Sequence, residues 1–233
     1  QIPRSIGLAQ ASKLYRALGI PESKGFSNNG NEITWGTIGN ASTSEGIFLE
    51  AMNAAGVLQI PLVMSVWDDG YGISVSNEHQ TTKASISEAL AGLQRTNTLK
   101  GIEIMHVNGW DYPALVSTYK KAADLAREEH VPVLIHVDEL TQPLGHSSSG
   151  SHQRYKSKER LEWEIDFDCN KKMREWILEK NIASEAELDA IEKACKEEVK
   201  KSKVEAWKSY QAPILESKKN LLPLLASLQK EVA

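Results

Sequence analysis

Residues 61–74 read Pro61-Leu62-Val63-Met64-Ser65-Val66-Trp67-Asp68-Asp69-Gly70-Tyr71-Gly72-Ile73-Ser74. The first seven form a nearly continuous apolar run with no alternation. That is the pattern of a short strand covered on both faces, as in a parallel sheet. The run stops abruptly at two carboxylates and a pair of glycines, so the chain leaves the sheet through an acidic turn.

The flanking segments repeat this logic. Upstream, residues 5–18 carry apolar side chains at helical spacing, and Gly19 is a suitable stop. Residues 33–38 alternate as a strand, and residues 39–44 are a turn of small side chains. Residues 45–58 read as a helix with Phe48, Leu49, Met52 and Ala55 on one side. Downstream, a polar loop leads to a helix near residues 85–95. A strand over 101–107, a helix over 112–128 and a buried strand over 131–137 follow. Strands alternating with helices predict an α/β fold, with a doubly wound, mostly parallel sheet and helices on both faces. Ligands in such sheets bind at the carboxyl ends of the strands, which directs attention to the turns after Ile38, Trp67, Val107 and Val137.

The character changes beyond Gly145. The run Ser147-Ser148-Ser149-Gly150-Ser151 reads as a loop, and from Lys158 the sequence is charged and helical. The expected division is residues 1–157 as a cofactor-binding domain and 158–233 as a C-terminal helical extension. Ser184 and Glu187 have capping-box spacing. Leu188, Ile191, Cys195 and Val199 form one stripe, read as a helix packing on its own domain, with a subunit contact as the alternative.

The 233 residues carry a net charge of -4, which gives no reason to expect nucleic acid. No apolar run approaches the roughly 18 residues of a membrane span. Cys169 and Cys195 are far apart without metal-ligand spacing, which suits a reducing, cytoplasmic setting. The opening at Gln1 reads as the interior of a longer chain.

Two turns carry the chemistry. In Gly39-Asn40-Ala41-Ser42-Thr43-Ser44-Glu45-Gly46, small residues before a helix let backbone N–H groups approach an anion at the positive end of the helix dipole. In Asp68-Asp69-Gly70-Tyr71, carboxylates supply hard oxygens suited to Mg²⁺. Each alone is commonplace, a tight turn and a solvated acidic turn. Together they are separated by one helix and one strand, which can bring Asn40 and Asp69 to one edge of adjacent strands.

This pair resembles the thiamine-diphosphate motif of 2-oxo acid dehydrogenase alpha subunits, Gly-Asp-Gly-Ala-Thr-Ser-Glu-Gly followed by Asn-Asn-Gly-Tyr-Ala-Ile-Ser. The likeness extends to Gln1-Ile2-Pro3, to Val107-Asn108-Gly109-Trp110-Asp111, to Gly145-His146-Ser147 with Arg154-Tyr155, and to the charged helix over 182–198. The resemblance implies the thiamine-diphosphate-binding fold, lacking its N-terminal part here, and the cofactors thiamine diphosphate and Mg²⁺. It implies Asn40 and Asp69 as side-chain metal ligands and Tyr71 as a carbonyl ligand. Gly39, Ala41 and Ser42 would lie against the diphosphate, and Gly72 and Ile73 along the cofactor. His146 would stand at the mouth of the site as the catalytic histidine.

The implied reaction is oxidative decarboxylation of a 2-oxo acid, branched-chain acids favoured over pyruvate or 2-oxoglutarate, with acyl transfer to a lipoyl carrier. The implied partners are a beta subunit or fused beta half carrying the activating glutamate, and a lipoyl-bearing acyltransferase. The assembly would be an α2β2 tetramer or a fused homodimer, so the isolated fragment is expected to lack turnover. A transketolase-type thiamine enzyme, or an assembly module that has lost its cofactor, are the alternatives.

Three departures bear on that choice. Asn40 and Asp69 exchange the amide and carboxylate positions, which leaves the ligand charge unchanged. Asp68 adds a negative charge that would repel diphosphate unless a neighbour offsets it. Ala41 replaces glycine, which would cost on the order of 1 kcal/mol if that position needs a positive φ.

Overall fold

The computed structural model describes residues 1–19, 25–146 and 151–232. By their contacts these fall into two compact units, Gln1–Glu175 and Trp176–Ala233. The expected loop at Ser147 to Gly150 lies outside the described residues.

The first unit opens with α1 (Ile2–Leu18), which starts earlier than the apolar spacing predicts because Pro3 is pre-set for a first helical turn. Gly19 ends it in the left-handed conformation, as expected. Then come β1 (Thr34–Gly39), α2 (Gly46–Leu58) and β2 (Leu62–Trp67). A short antiparallel hairpin follows, β3 (Tyr71–Gly72) and β4 (Val75–Ser76). After it come α3 (Ile86–Ala89), β5 (Glu103–Asn108), α4 (Tyr112–Glu129) and β6 (Val133–Asp138). The unit closes with α5 (Lys158–Asp166) and most of α6 (Cys169–Glu179).

The main sheet has strand order β1-β2-β6-β5, and each of its neighbouring pairs is parallel. Side chains alternate through it. Leu62, Met64, Val66 and Leu134 join Ala9, Phe48, Met52, Ala55 and Ile86 on the face of α1, α2 and α3. Val63, Val133, Ile135 and Val137 join Ala122 and Ala126 on the face of α4. The sheet is therefore doubly wound, and β2 and β6 are mostly apolar because both their faces are covered, with Ser65 and His136 the buried polar exceptions.

Some local expectations shift. The buried side of α2 is Phe48, Ala51, Met52 and Ala55, whereas Leu49 is exposed. That set keeps the i, i+3, i+4, i+7 spacing, and Leu49 sits one step off it. The single helix expected near residues 85–95 is instead a one-turn α3 followed by a 3-10 turn at Ala91–Leu93. Leu93 carbonyl accepts from Ile102 N–H, which draws the chain out of helical geometry and toward β5.

The second unit contains α7 (Glu185–Val232), with Pro213 and Pro223 inside it and no buried residue. Its start is the expected capping box: Ser184 N–H donates to Glu187 Oε2 at 2.8 Å, and Glu187 N–H donates to Ser184 Oγ at 3.4 Å. Of the expected stripe Leu188 is half-buried, whereas Ile191, Cys195 and Val199 are exposed, which corrects the reading of a stripe packed along its whole length. No helix among the described residues is long and apolar enough to cross a membrane.

α1 is tied to the carboxyl end of α4. Arg16 donates to the carbonyls of Arg127 (2.7 Å) and Glu128 (3.2 Å), which α4 leaves without helical partners. Beside it, His130 caps α4 at φ 53° and its buried Nε2 lies 3.0 Å from Gly30 carbonyl. Burial pushes the His130 pKa down, Arg16 and Lys13 add to this, and the Gly30 carbonyl only partly opposes it.

The unfolded chain therefore binds this proton more readily than the folded one. The contribution to stability is complete above about pH 6.5 and is lost as pH falls from there through the depressed folded value. We expect denaturant melts to show stability declining over that window. His130→Asn, which tolerates the left-handed cap, should flatten the decline.

Candidate cofactor site

Parallel pairing of β1 and β2 aligns Ile38 with Val66 and Gly39 with Trp67. The next residues, Asn40 and Asp68, leave the sheet side by side at its carboxyl edge. Asn40 N–H donates to Trp67 carbonyl at 3.1 Å, and Asp68 N–H donates to Val137 carbonyl at 2.8 Å, extending the ladders by one step.

Asn40 is buried, and its Nδ2 donates to Tyr71 carbonyl and to Asn77 Oδ1, both at 3.0 Å. Asp69 Oδ1 accepts from Tyr71 N–H at 3.1 Å. Asn40, Asp69 and Tyr71 are thus brought together as the motif spacing predicts. Burial pushes the Asp69 carboxyl up, and the nearby Asp68 charge adds to that. Tyr71 N–H and Lys156 oppose it without cancelling it. A partly desolvated carboxylate with lone pairs to spare is a good cation ligand. Asn40 Oδ1 likewise accepts no hydrogen bond from the described residues. The donor set is one carboxylate, one amide oxygen and one carbonyl with a lone pair left. That fits Mg²⁺, which takes one or two carboxylates and completes its shell with phosphate oxygens and water. Among the described residues no group of three or more His, Cys, Asp or Glu is placed to hold a metal ion.

Ala41–Ser44 is a 3-10 turn leading into α2, and the first N–H groups of such a turn have no partner further along it. Ala41 has no positive φ, so the cost attached to losing glycine there does not arise. Space is left open beside Gly39, where an added Cβ would meet nothing within 4 Å. Gly72 faces Ala41: a Cβ at 72 would come within 2.9 Å of Ala41 Cβ and 2.4 Å of Gln80 Oε1. The motif resemblance has glycine at 41 and alanine at 72. Here the methyl group is on the other side of the same contact. Ile73 is held at φ 61°, a strained conformation for a β-branched residue, and is exposed.

Asp68 turns away from this cluster. Its Oδ2 meets His136 Nε2 at 3.0 Å, its Oδ1 accepts from Gly70 N–H at 2.7 Å, and Asn77 Nδ2 donates to both oxygens. Burial alone would raise its pKa. The hydrogen bonds from His136, Asn77 and Gly70 outweigh that and hold it below the usual carboxylate range. These bonds hold Asp68 ionised, and its charge is still felt at Asp69. His136 Nδ1 lies 3.0 Å from Ser87 Oγ, which fixes the ring. Sequence reading passed over His136 for want of partner spacing, although a polar residue inside the buried run of β6 could have flagged it, since a buried polar group needs a partner. Asn77 carried no such signal.

A second buried group supports the turn. Lys156 Nζ lies 2.7 Å from Glu164 Oε1 and 4.9 Å from the Tyr71 ring centroid. Arg160 pairs with the same carboxylate at 2.9 Å and donates to Asp69 carbonyl at 2.8 Å. Sequence reading stopped at Arg154-Tyr155 and missed this group, which helical i, i+4 spacing of Arg160 and Glu164 could have flagged. The His146 side chain is exposed. Its backbone hydrogen-bonds the Tyr155 hydroxyl, and the Tyr155 ring packs 5.6 Å from Tyr71. A groove of about 660 Å³ runs beside the hairpin, lined by Tyr71, Ser74, Asn77, His79, Tyr155 and Arg160 among others.

The reciprocal placement of one methyl group predicts energetic coupling. Gly72→Ala should cost about 1–3 kcal/mol by overpacking. In the Ala41→Gly, Gly72→Ala pair the loss should be smaller than the sum by at least about 0.5 kcal/mol in denaturant melts. Strict additivity would contradict the contact.

Comparison with known proteins places the chain in a family. The family model for the dehydrogenase E1 component matches residues 1–215. The pyruvate dehydrogenase E1 component subunit alpha of Rickettsia bellii is 30% identical over 202 residues, covering 87% of this chain and 55% of that protein. The mitochondrial 2-oxoisovalerate dehydrogenase subunit alpha of Dictyostelium discoideum is 28% identical, covering 93% of this chain and 45% of its own. The mitochondrial 2-oxoisovalerate dehydrogenase subunit alpha 1 of Arabidopsis thaliana is 26% identical, covering 88% and 42%. The chain thus spans about half the length of these curated relatives. It belongs to the dehydrogenase E1 component family.

Proposed function

We propose that this chain is the diphosphate- and metal-anchoring part of the alpha portion of a thiamine-diphosphate-dependent 2-oxo acid dehydrogenase. The observation that supports this most is the convergence of Asn40, Asp69 and Tyr71 at one strand edge, linked by bonds of 3.0 and 3.1 Å. In this reading Asp69 carboxylate, Asn40 Oδ1 and Tyr71 carbonyl hold Mg²⁺. Backbone N–H groups of Ala41 and Ser42, beside Gly39, receive the diphosphate at the leading end of a helical turn. Gly72 and the strained Ile73 border the cofactor, and His146 lies at the mouth.

Thiamine diphosphate, when bound, supplies the electron sink for decarboxylating a 2-oxo acid. The chain's own residues anchor, orient and neutralise it. Asp69 supplies the negative charge facing the cation, and the side chain of Asp68 is held by His136, Asn77 and Gly70 instead. Acyl transfer to a lipoyl-bearing acyltransferase and activation by a beta subunit or beta half belong to the same proposal. So does the substrate. Pyruvate and 2-oxoisovalerate are the acids named among the relatives, and the full protein should be assayed on both.

The test is calorimetric titration of thiamine diphosphate, with and without Mg²⁺, into the full-length protein with its partner. Binding should require Mg²⁺ and weaken by roughly 100-fold or more in Asp69→Ala, which removes the only carboxylate of the set. Folded, partner-complete protein that takes up no cofactor would favour an assembly module instead.

A further inference from the structure

We propose that Asn77 is a positioning residue for the metal site: it fixes which end of the Asn40 amide faces the cation. The inference rests on the metal-site reading above and adds a residue outside the motif.

The argument is one of donors and acceptors. A carboxylate only accepts hydrogen bonds, and an amide has one accepting and one donating end. Asn77 Nδ2 lies 3.0 and 2.9 Å from the two oxygens of Asp68, so Asn77 must turn its NH₂ group toward Asp68. Its Oδ1 is then committed to the opposite side, where it meets Asn40 at 3.0 Å. An oxygen facing Asn40 demands a donor, so Asn40 must present Nδ2 there. The same Nδ2 reaches Tyr71 carbonyl. Asn40 Oδ1 is consequently the end left over, as a metal ligand requires.

The chain begins further back. Ser87 and His136 hold Asp68 in place, and Gly70 N–H fixes its other oxygen. Ser87, His136, Asp68, Asn77 and Asn40 therefore form one continuous run of hydrogen bonds ending at the ligand. A carboxylate at position 40 would need no such device, because both its oxygens can bind a cation. An amide does, because its two ends differ. The exchange of carboxylate and amide between positions 40 and 69 becomes workable through a residue 37 positions away from Asn40.

The experiment is Mn²⁺ binding in the presence of thiamine diphosphate, followed by electron paramagnetic resonance on the full-length protein with its partner. Mn²⁺ stands in for Mg²⁺ with the same preference for oxygen ligands. Asn77→Asp places an acceptor opposite Asp68 and should weaken Mn²⁺ binding about tenfold or more, the usual effect of losing a residue that orients a ligand. Asn77→Ala, which adds no charge, should do the same with thermal stability measured alongside, and it decides the matter if Asn77→Asp does not fold.

The reciprocal pair Asp68→Asn with Asn77→Asp rebuilds the chain, since an amide at 68 donates to a carboxylate at 77, which again accepts from Asn40. It should restore affinity to within about threefold of wild type, a coupling that mere packing would not give. Wild-type affinity in Asn77→Ala would overturn the inference alone. So would a folded double variant that binds no better than Asn77→Asp. If the wild-type protein takes up no Mn²⁺ with thiamine diphosphate, the metal-site reading falls and this inference falls with it.

Discussion

Asp68 carries a charge at the point where β2 leaves the sheet, and it is only 3% exposed. A carboxylate in that position is costly unless its oxygens are matched by donors. His136 reaches it from β6, Gly70 from the turn that follows, and Asn77 from beyond the hairpin. Those bonds pull three separate stretches of chain onto one carboxylate. They fix the turn that carries Asp69 and Tyr71. The parallel register of β2 with β6, which sets Val66 opposite His136, makes the pairing possible.

The site that results departs from the motif it resembles in ways that offset one another. Carboxylate and amide are exchanged between 40 and 69, so the charge presented to a cation is unchanged. A methyl group is exchanged between 41 and 72, so the contact between the two turns is filled once. The additional carboxylate at 68 is hydrogen-bonded by His136, Asn77 and Gly70. The buried Lys156–Glu164 pair, with Arg160 reaching Asp69 carbonyl, braces the turn from the far side. Breaking a buried pair of this kind typically costs about 3–5 kcal/mol, because one charge is left alone. The turn is thus held from both sides by ionic groups.

Much of the fold was legible in the sequence. The nearly continuous apolar runs of β2 and β6 matched strands covered on both faces, and their alternation with helices pointed to a parallel sheet. The convergence of Asn40, Asp69 and Tyr71 followed from one helix and one strand lying between the two turns. Other features depend on contacts that no local pattern encodes. Asn77 lies 37 residues from Asn40 and looks like an ordinary polar turn residue. His136 meets Asp68 across 68 residues. Whether position 41 needs a positive φ could not be read from the motif, and the 3-10 turn shows that it does not. The helix near 85–95 broke because Leu93 carbonyl is taken by Ile102 of the next segment. The stripe of Ile191, Cys195 and Val199 has helical periodicity, but periodicity alone does not say what it meets.

The most direct measurement is the position of the metal. A crystal of the full-length protein with its partner, thiamine diphosphate and Mn²⁺ would give an anomalous peak at the cation. The account predicts that peak between Asp69 carboxylate, Asn40 Oδ1 and Tyr71 carbonyl, with Asp68 still bonded to His136 and Asn77. A cation bound to Asp68, with its bonds to His136 and Asn77 broken, would contradict it.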